Sequence, residues 1–154
     1  MRLAGILSAV IVLLGLTVLP CQAQPLVEAR LGGQVFQLEL VADPESRRQG
    51  LMGRTLLPAG TGMLFDFPPG TSPAIWMRNM QIPLDLLFVD EQGQLLQVFS
   101  EVPPCTEPPC AIYRAQQPLR FVIEVPAGTA GQLNLQPGDR LDLGDHQSSP
   151  APSF

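Results

Sequence analysis

Three observations on this 154-residue sequence predict a mainly β fold: a compact, jelly-roll-like β-sandwich or barrel with one or two short helices. All but one of the 17 prolines fall after residue 23, and an interior proline costs a helix about 3 kcal/mol, so long helices are disfavoured there. Apolar residues in the same region come in short runs, several of them alternating with polar residues as a half-buried strand requires. Turn signals rich in Gly, Pro, Asp and Asn separate these runs at close spacing.

The first element is a leader. Met1-Arg2 begins with a positive charge, Leu3 to Leu19 carries none, and Pro20-Cys21-Gln22-Ala23 places small residues before Gln24. This pattern predicts a signal peptide over 1–23 and an exported protein, periplasmic or extracellular. The alternative is an uncleaved N-terminal anchor, although the apolar run is shorter than the roughly 20 residues of a spanning helix. Cys21 is a poor lipidation site, because Pro20 stands where that signal wants Gly, Ala or Ser.

A single domain is expected over 24–143. Val27 to Leu31 and Gln34 to Val41 flank Gly32-Gly33, a hairpin signal. Asp43-Pro44-Glu45 supplies an N-cap, a first-turn proline and an acidic first turn, predicting a helix from Pro44 to Met52 that stops at Gly53. Strands are expected at Gly62 to Phe67, Ala74 to Arg78, Leu84 to Val89, Gln94 to Val102 and Leu119 to Val125. Pro103 to Pro118 reads as a long loop, Ala127 to Leu133 as one helical turn, and Arg140 to Leu143 as a closing strand. The polar, Ser/Pro-rich stretch 144–154 is expected to be a disordered tail.

Charge narrows the function classes. The sequence has no lysine and a net charge of −5, which becomes −6 without Arg2. A nucleic-acid binder needs a basic face to neutralise phosphates, so no such partner is expected. Beyond the leader two cysteines remain, Cys105 and Cys110. In an exported chain an even count favours a disulfide. Zinc would need four ligands, and a thioredoxin-type redox pair has a shorter gap. No metal and no cofactor is expected.

His146, the only histidine, lies in the expected tail, which argues against catalysis by Ser-His-Asp or Cys-His. Three features could carry chemistry. Arg47 and Arg54 share a helical face and could hold an anion, or could pair with acids of the fold. Asp85, Arg120 and Glu124 could form an internal ion pair, or the two carboxylates could perform acid/base hydrolysis if they faced one cleft. Met52, Met63, Met77 and Met80 offer thioethers suited to Cu(I), but they equally suit a core.

Together these pieces resemble the domain of unknown function 192 family. The carrying stretches are Arg47-Arg48-Gln49-Gly50-Leu51-Met52-Gly53-Arg54, Gly62-Met63-Leu64-Phe65 and Trp76-Met77-Arg78-Asn79-Met80-Gln81-Ile82-Pro83-Leu84-Asp85. Phe88-Val89-Asp90, Phe121-Val122-Ile123-Glu124 and Pro137-Gly138-Asp139 come after them in order. The resemblance spans roughly Val27 to Leu143 and implies a compact β-rich domain, often exported in bacteria, with no established reaction, substrate or cofactor. It points to Arg47, Arg54, Trp76, Asn79, Asp85 and Glu124 as the first place to seek a pocket, with Met77 in its wall. The resulting expectation is a non-enzymatic domain that binds a polar small molecule, such as a sugar, or an envelope partner. A hydrolase using Asp85 and Glu124 is the alternative, and Met-based copper binding the remotest. Membrane contact is expected only through an uncleaved leader.

Overall fold

The computed structural model describes residues 24–153, so the signal peptide expected over 1–23 lies outside the described residues. Among those described, no helix is long and apolar enough to cross a membrane.

Eight strands form: β1 (Leu26–Leu31), β2 (Gln34–Val41), β3 (Thr61–Asp66), β4 (Ala74–Trp76), β5 (Leu84–Val89), β6 (Leu95–Val102), β7 (Ile112–Arg114) and β8 (Phe121–Pro126). Two short helices, α1 (Pro44–Gln49) and α2 (Thr129–Gln132), and a 3-10 helix (Gly144–Ser148) complete the elements among the described residues. The mainly β expectation is met, and most strand limits fall within a residue or two of the sequence pattern.

Six strands make one mixed sheet in the order β1-β2-β3-β8-β5-β6, with β2 and β3 parallel and the other neighbours antiparallel. The sheet is open rather than a closed barrel. Its edges β1 and β6 are not paired with each other; the segment Asp139–Asp142 is hydrogen-bonded to both ends, through Arg30 to Asp142 and Leu95 to Asp139. The predicted closing strand is therefore a strap made of single bridges. β4 pairs with β7 in a separate two-stranded sheet, so the loop expected over Pro103 to Pro118 contains a strand.

The sheet is covered on both faces. Phe36, Leu38, Leu64, Leu87, Ile123 and Val125 point to one apolar cluster; Val41, Met63, Phe65, Leu86, Phe88 and Val122 point to the other. Burial on both sides explains why every residue of β5 is buried, where a one-sided strand would alternate. The small sheet lies over the second cluster, with Tyr113 edge-on to Phe99 at 5.2 Å between ring centroids. This gives a sandwich-like second layer of two strands, not an eight-stranded jelly roll. The predicted disulfide Cys105–Cys110 is present, its Cα atoms 5.6 Å apart.

α1 starts as its sequence dictates. The Asp43 carboxylate accepts hydrogen bonds from the backbone N–H of Glu45 (3.0 Å) and Ser46 (2.9 Å), and Pro44 occupies the first turn. It ends earlier than predicted, at Gly50 rather than Gly53. Gly50 adopts φ +48°, open to glycine at little cost, and a Cβ there would meet the Phe65 ring at 3.2 Å. The chain thus turns sharply onto β3 and leaves a groove between α1 and the small sheet.

The stretch from Gly144 departs from the expected disorder. Its 3-10 helix brings His146 Nε2 to 3.0 Å from the buried carboxylate of Asp66. Phe154 lies outside the described residues.

Candidate functional site

The groove beside α1 has a volume of about 320 Å³, in the range of small-molecule pockets. One wall comes from α1 and its exit, with Arg47, Arg48, Gly50 and Met52. Phe65 and Phe67 come from β3 and the residue after it, and Ala74, Ile75 and Trp76 come from β4. Met80 and Glu124 complete the lining. Glu124 reaches it because Met63 and Leu86 are its neighbours across β3 and β5, which places its side chain on the second-cluster face.

Glu124 is the unusual group. It is only 5% exposed, its carboxyl oxygens keep some contact with the groove, and among the described residues it makes no ion pair. Burial pushes its carboxyl up from 4.5 to about 8, because an ionised form would lose hydration without gaining a partner. The acid is thus mostly protonated at neutral pH, able to donate one hydrogen bond and accept others.

Arg47 is held differently. Its Nη1 donates to the backbone carbonyls of Ala42 and Asp66, the latter at 2.9 Å, and its guanidinium lies 5.2 Å from the Phe67 ring centroid. No carboxylate neutralises it among the described residues. Arg48 is exposed and paired with Glu45 at 2.5 Å. Trp76 stands at the rim, 44% exposed, with the Arg78 guanidinium 5.6 Å from its ring.

The groove therefore collects three of the sequence-predicted residues: Arg47, Trp76 and Glu124. The others lie elsewhere. Arg54 makes a two-pronged pair with Glu39 at 2.5 and 2.6 Å, so it does not share an anion with Arg47. Asn79 occupies a turn at φ 60° and lines an adjoining, more open depression with Arg48, Met52 and Met80. Met77 is 2% exposed in the second cluster, and the groove's sulfur-bearing wall is Met52 and Met80 instead. Met63 is buried too, and with Met77 and Met80 it packs among the apolar side chains of the second cluster, as core-filling thioethers do. Among the described residues, no group of three or more His, Cys, Asp or Glu could hold a metal ion.

Asp85 is fully buried and shares no cleft with Glu124. Register pairs it with Val125, so the two carboxylates project from opposite faces of the sheet. Its oxygens accept hydrogen bonds from the N–H groups of Glu101 (2.7 Å), Gly128 (3.1 Å) and Ala130 (2.7 Å), tying β6 and the start of α2 to β5. The two-carboxylate hydrolase expected as the alternative fails on this geometry.

Arg120 does form a buried ion pair, but with Asp66, at 2.9 and 3.0 Å, and not with Asp85 or Glu124. Arg120 directly precedes Phe121, the β8 partner of Asp66 at the end of β3, so the pair closes the end of that ladder. The sequence pattern around Phe65-Asp66-Phe67 contained an acid inside an apolar run, the one signal that could have revealed this partner. His146 joins the same carboxylate. The argument that a tail histidine is unavailable is therefore overturned, though no nucleophile accompanies it: the nearby Ser149 hydroxyl donates to the Asp145 carbonyl at 3.2 Å.

Comparison with known proteins places this geometry among relatives. The family model described as DUF192, Uncharacterized ACR, matches residues 27–143. A crystal structure of a protein from Sinorhizobium meliloti 1021, described provisionally as a transcription regulator, superposes with a TM-score of 0.71 at 33% identity. The match covers 79% of this chain and 95% of that one. A protein of unknown function from Novosphingobium aromaticivorans DSM 12444 gives 0.68 at 32% identity, over 76% and 83%. Curated proteins gave no match.

Proposed function

The chain belongs to the domain of unknown function 192 family, and from that premise we propose that it is an exported, non-enzymatic domain binding a small polar molecule in the groove beside α1. No activity comes with the family, so the groove itself carries the proposal. The single observation is the convergence of an exposed Trp76, a guanidinium without a carboxylate partner on Arg47 and a buried, unpartnered Glu124 on one concave surface. Such a surface offers stacking and directional hydrogen bonds together, which suits a ligand with one apolar face and several polar groups, as a sugar has. One buried carboxyl without a second across a gap supports binding over glycoside hydrolysis. The disulfide agrees with an oxidising, exported setting.

The description of the S. meliloti protein suggests a second class, regulation through nucleic acid. Nothing in this chain favours it: Arg30, Arg48, Arg54 and Arg120 all pair with carboxylates, leaving few free charges for phosphates.

Trp76 is the only tryptophan, so its fluorescence reports on the groove directly. A ligand panel of sugars, organic acids and amines is expected to yield a compound that shifts Trp76 emission saturably. Trp76→Ala is expected to weaken that compound's binding, measured by calorimetry, by about tenfold or more. Unchanged affinity in Trp76→Ala would reject this groove as the site.

A further inference from the structure

Resting on the groove reading above, we infer that the ligand is a small organic anion. Its acidic group is held by Arg47, its apolar body lies against Phe67, Ile75 and Trp76, and Glu124 donates a hydrogen bond to it from the floor.

The charges around the groove decide the sign. Of its lining residues only Arg47, Arg48 and Glu124 are ionisable. Arg48 is neutralised by Glu45, while Arg47 has only carbonyl and ring partners and keeps its charge for an incoming group. Opposite Glu124 across β3 and β5 stand Met63 and Leu86, which are apolar, and the acids Asp66 and Asp85 of those strands face the other side of the sheet. Arg78 lies over Trp76 and adds positive charge at the rim. Nothing acidic opposes an anion as long as Glu124 holds its proton. A neutral sugar would leave the Arg47 charge unanswered, and a cation would face Arg47 and Arg78.

With its carboxyl pushed up to about 8, Glu124 also makes binding depend on pH. Below that value the acid donates to the ligand; above it a carboxylate on the groove floor meets an anion. Affinity is therefore highest at and below neutral pH and falls as pH rises through about 8.

The test is calorimetry on the protein, with benzoate and phenyl phosphate as anionic probes. Benzamide and methyl β-glucoside serve as neutral probes and benzylamine as the cation. The expected result is binding of at least one anion, about tenfold tighter than any neutral or cationic probe at pH 6.5. Between pH 6.5 and 9.5 that anion's affinity falls roughly thirtyfold in the unaltered protein, which requires no variant to fold. Glu124→Gln removes the pH dependence, and Arg47→Gln removes the preference for anions. Equal or tighter binding of methyl β-glucoside or benzylamine overturns the anion inference and leaves the groove standing. So does an anion affinity that is flat or rises with pH. Absence of binding by both anions up to about 10 mM also overturns it; the groove reading falls separately, if the wider Trp76 fluorescence panel is silent or if Trp76→Ala leaves a found ligand's affinity unchanged.

Discussion

Glu124 and Asp85 are acids of adjacent strands, one register step apart, and burial treats them in opposite ways. Asp85 is surrounded by three backbone N–H donors, so its burial is balanced by charge-assisted hydrogen bonds. Glu124 has none, so the fold carries a desolvation cost that appears when the carboxyl ionises. Its pKa is raised from 4.5 in the unfolded chain to about 8 in the fold. The unfolded chain thus loses its proton first, and stability is full below 4.5, then declines until pH passes about 8. At about 1.4 kcal/mol for each pH step, the loss reaches on the order of 5 kcal/mol. Glu124→Gln is expected to match the unaltered protein near pH 4 and to be several kcal/mol more stable at pH 8.5, as measured by urea unfolding. An unchanged difference between the two pH values would show that Glu124 is already ionised or hydrated. The two acids look alike in sequence, each inside an apolar run, and alternation alone could not say which would find amide partners.

At the level of elements, α1 and β3 show what local pattern can and cannot convey. The helix start was legible, because Asp43 and Pro44 act within one turn of the chain. Its end was misplaced by three residues, because the choice between Gly50 and Gly53 depends on Phe65 of a strand more than a dozen residues away. β7 was missed, since Ile112–Arg114 is too short to alternate and gains its order by pairing with β4. In β3, Gly62 lets β8 approach: a Cβ there would lie 2.4 Å from the Glu124 carbonyl oxygen and 2.9 Å from a Leu38 methyl carbon. The carbonyl belongs to the backbone of a strand paired on both sides and cannot swing aside. Gly62→Ala is expected to destabilise the fold by about 2–3 kcal/mol in chemical denaturation, and to displace Glu124 from the groove floor. A loss within about 0.5 kcal/mol would mean that β8 yields more easily than its pairing suggests.

Across the whole molecule, the open sheet is held together by the segment beyond its last strand. Asp139–Asp142 bridges the two edges, and the 3-10 helix after it is anchored where His146 and Arg120 meet the Asp66 carboxylate. Removing one partner from a buried pair strands the other charge, so Asp66→Asn is expected to cost about 3–5 kcal/mol. Hydrogen exchange at Gly144–Ser149 should accelerate more than at β5, and equal acceleration in both would show global loss with no local anchoring role. Sequence by itself determined the mainly β class, the position of nearly every long strand, the capped start of α1 and the pairing of Cys105 with Cys110. Each stems from chain-local periodicity, from turn chemistry, or from there being only two cysteines after residue 23. Tertiary structure alone decided that β2 and β3 run parallel, that Arg54 belongs to Glu39 and Arg120 to Asp66, and that Arg47, Trp76 and Glu124 share a groove while Asp85 faces away. Those outcomes depend on which strands become neighbours and on which side of the sheet each side chain then falls, and no spacing along the chain encodes either.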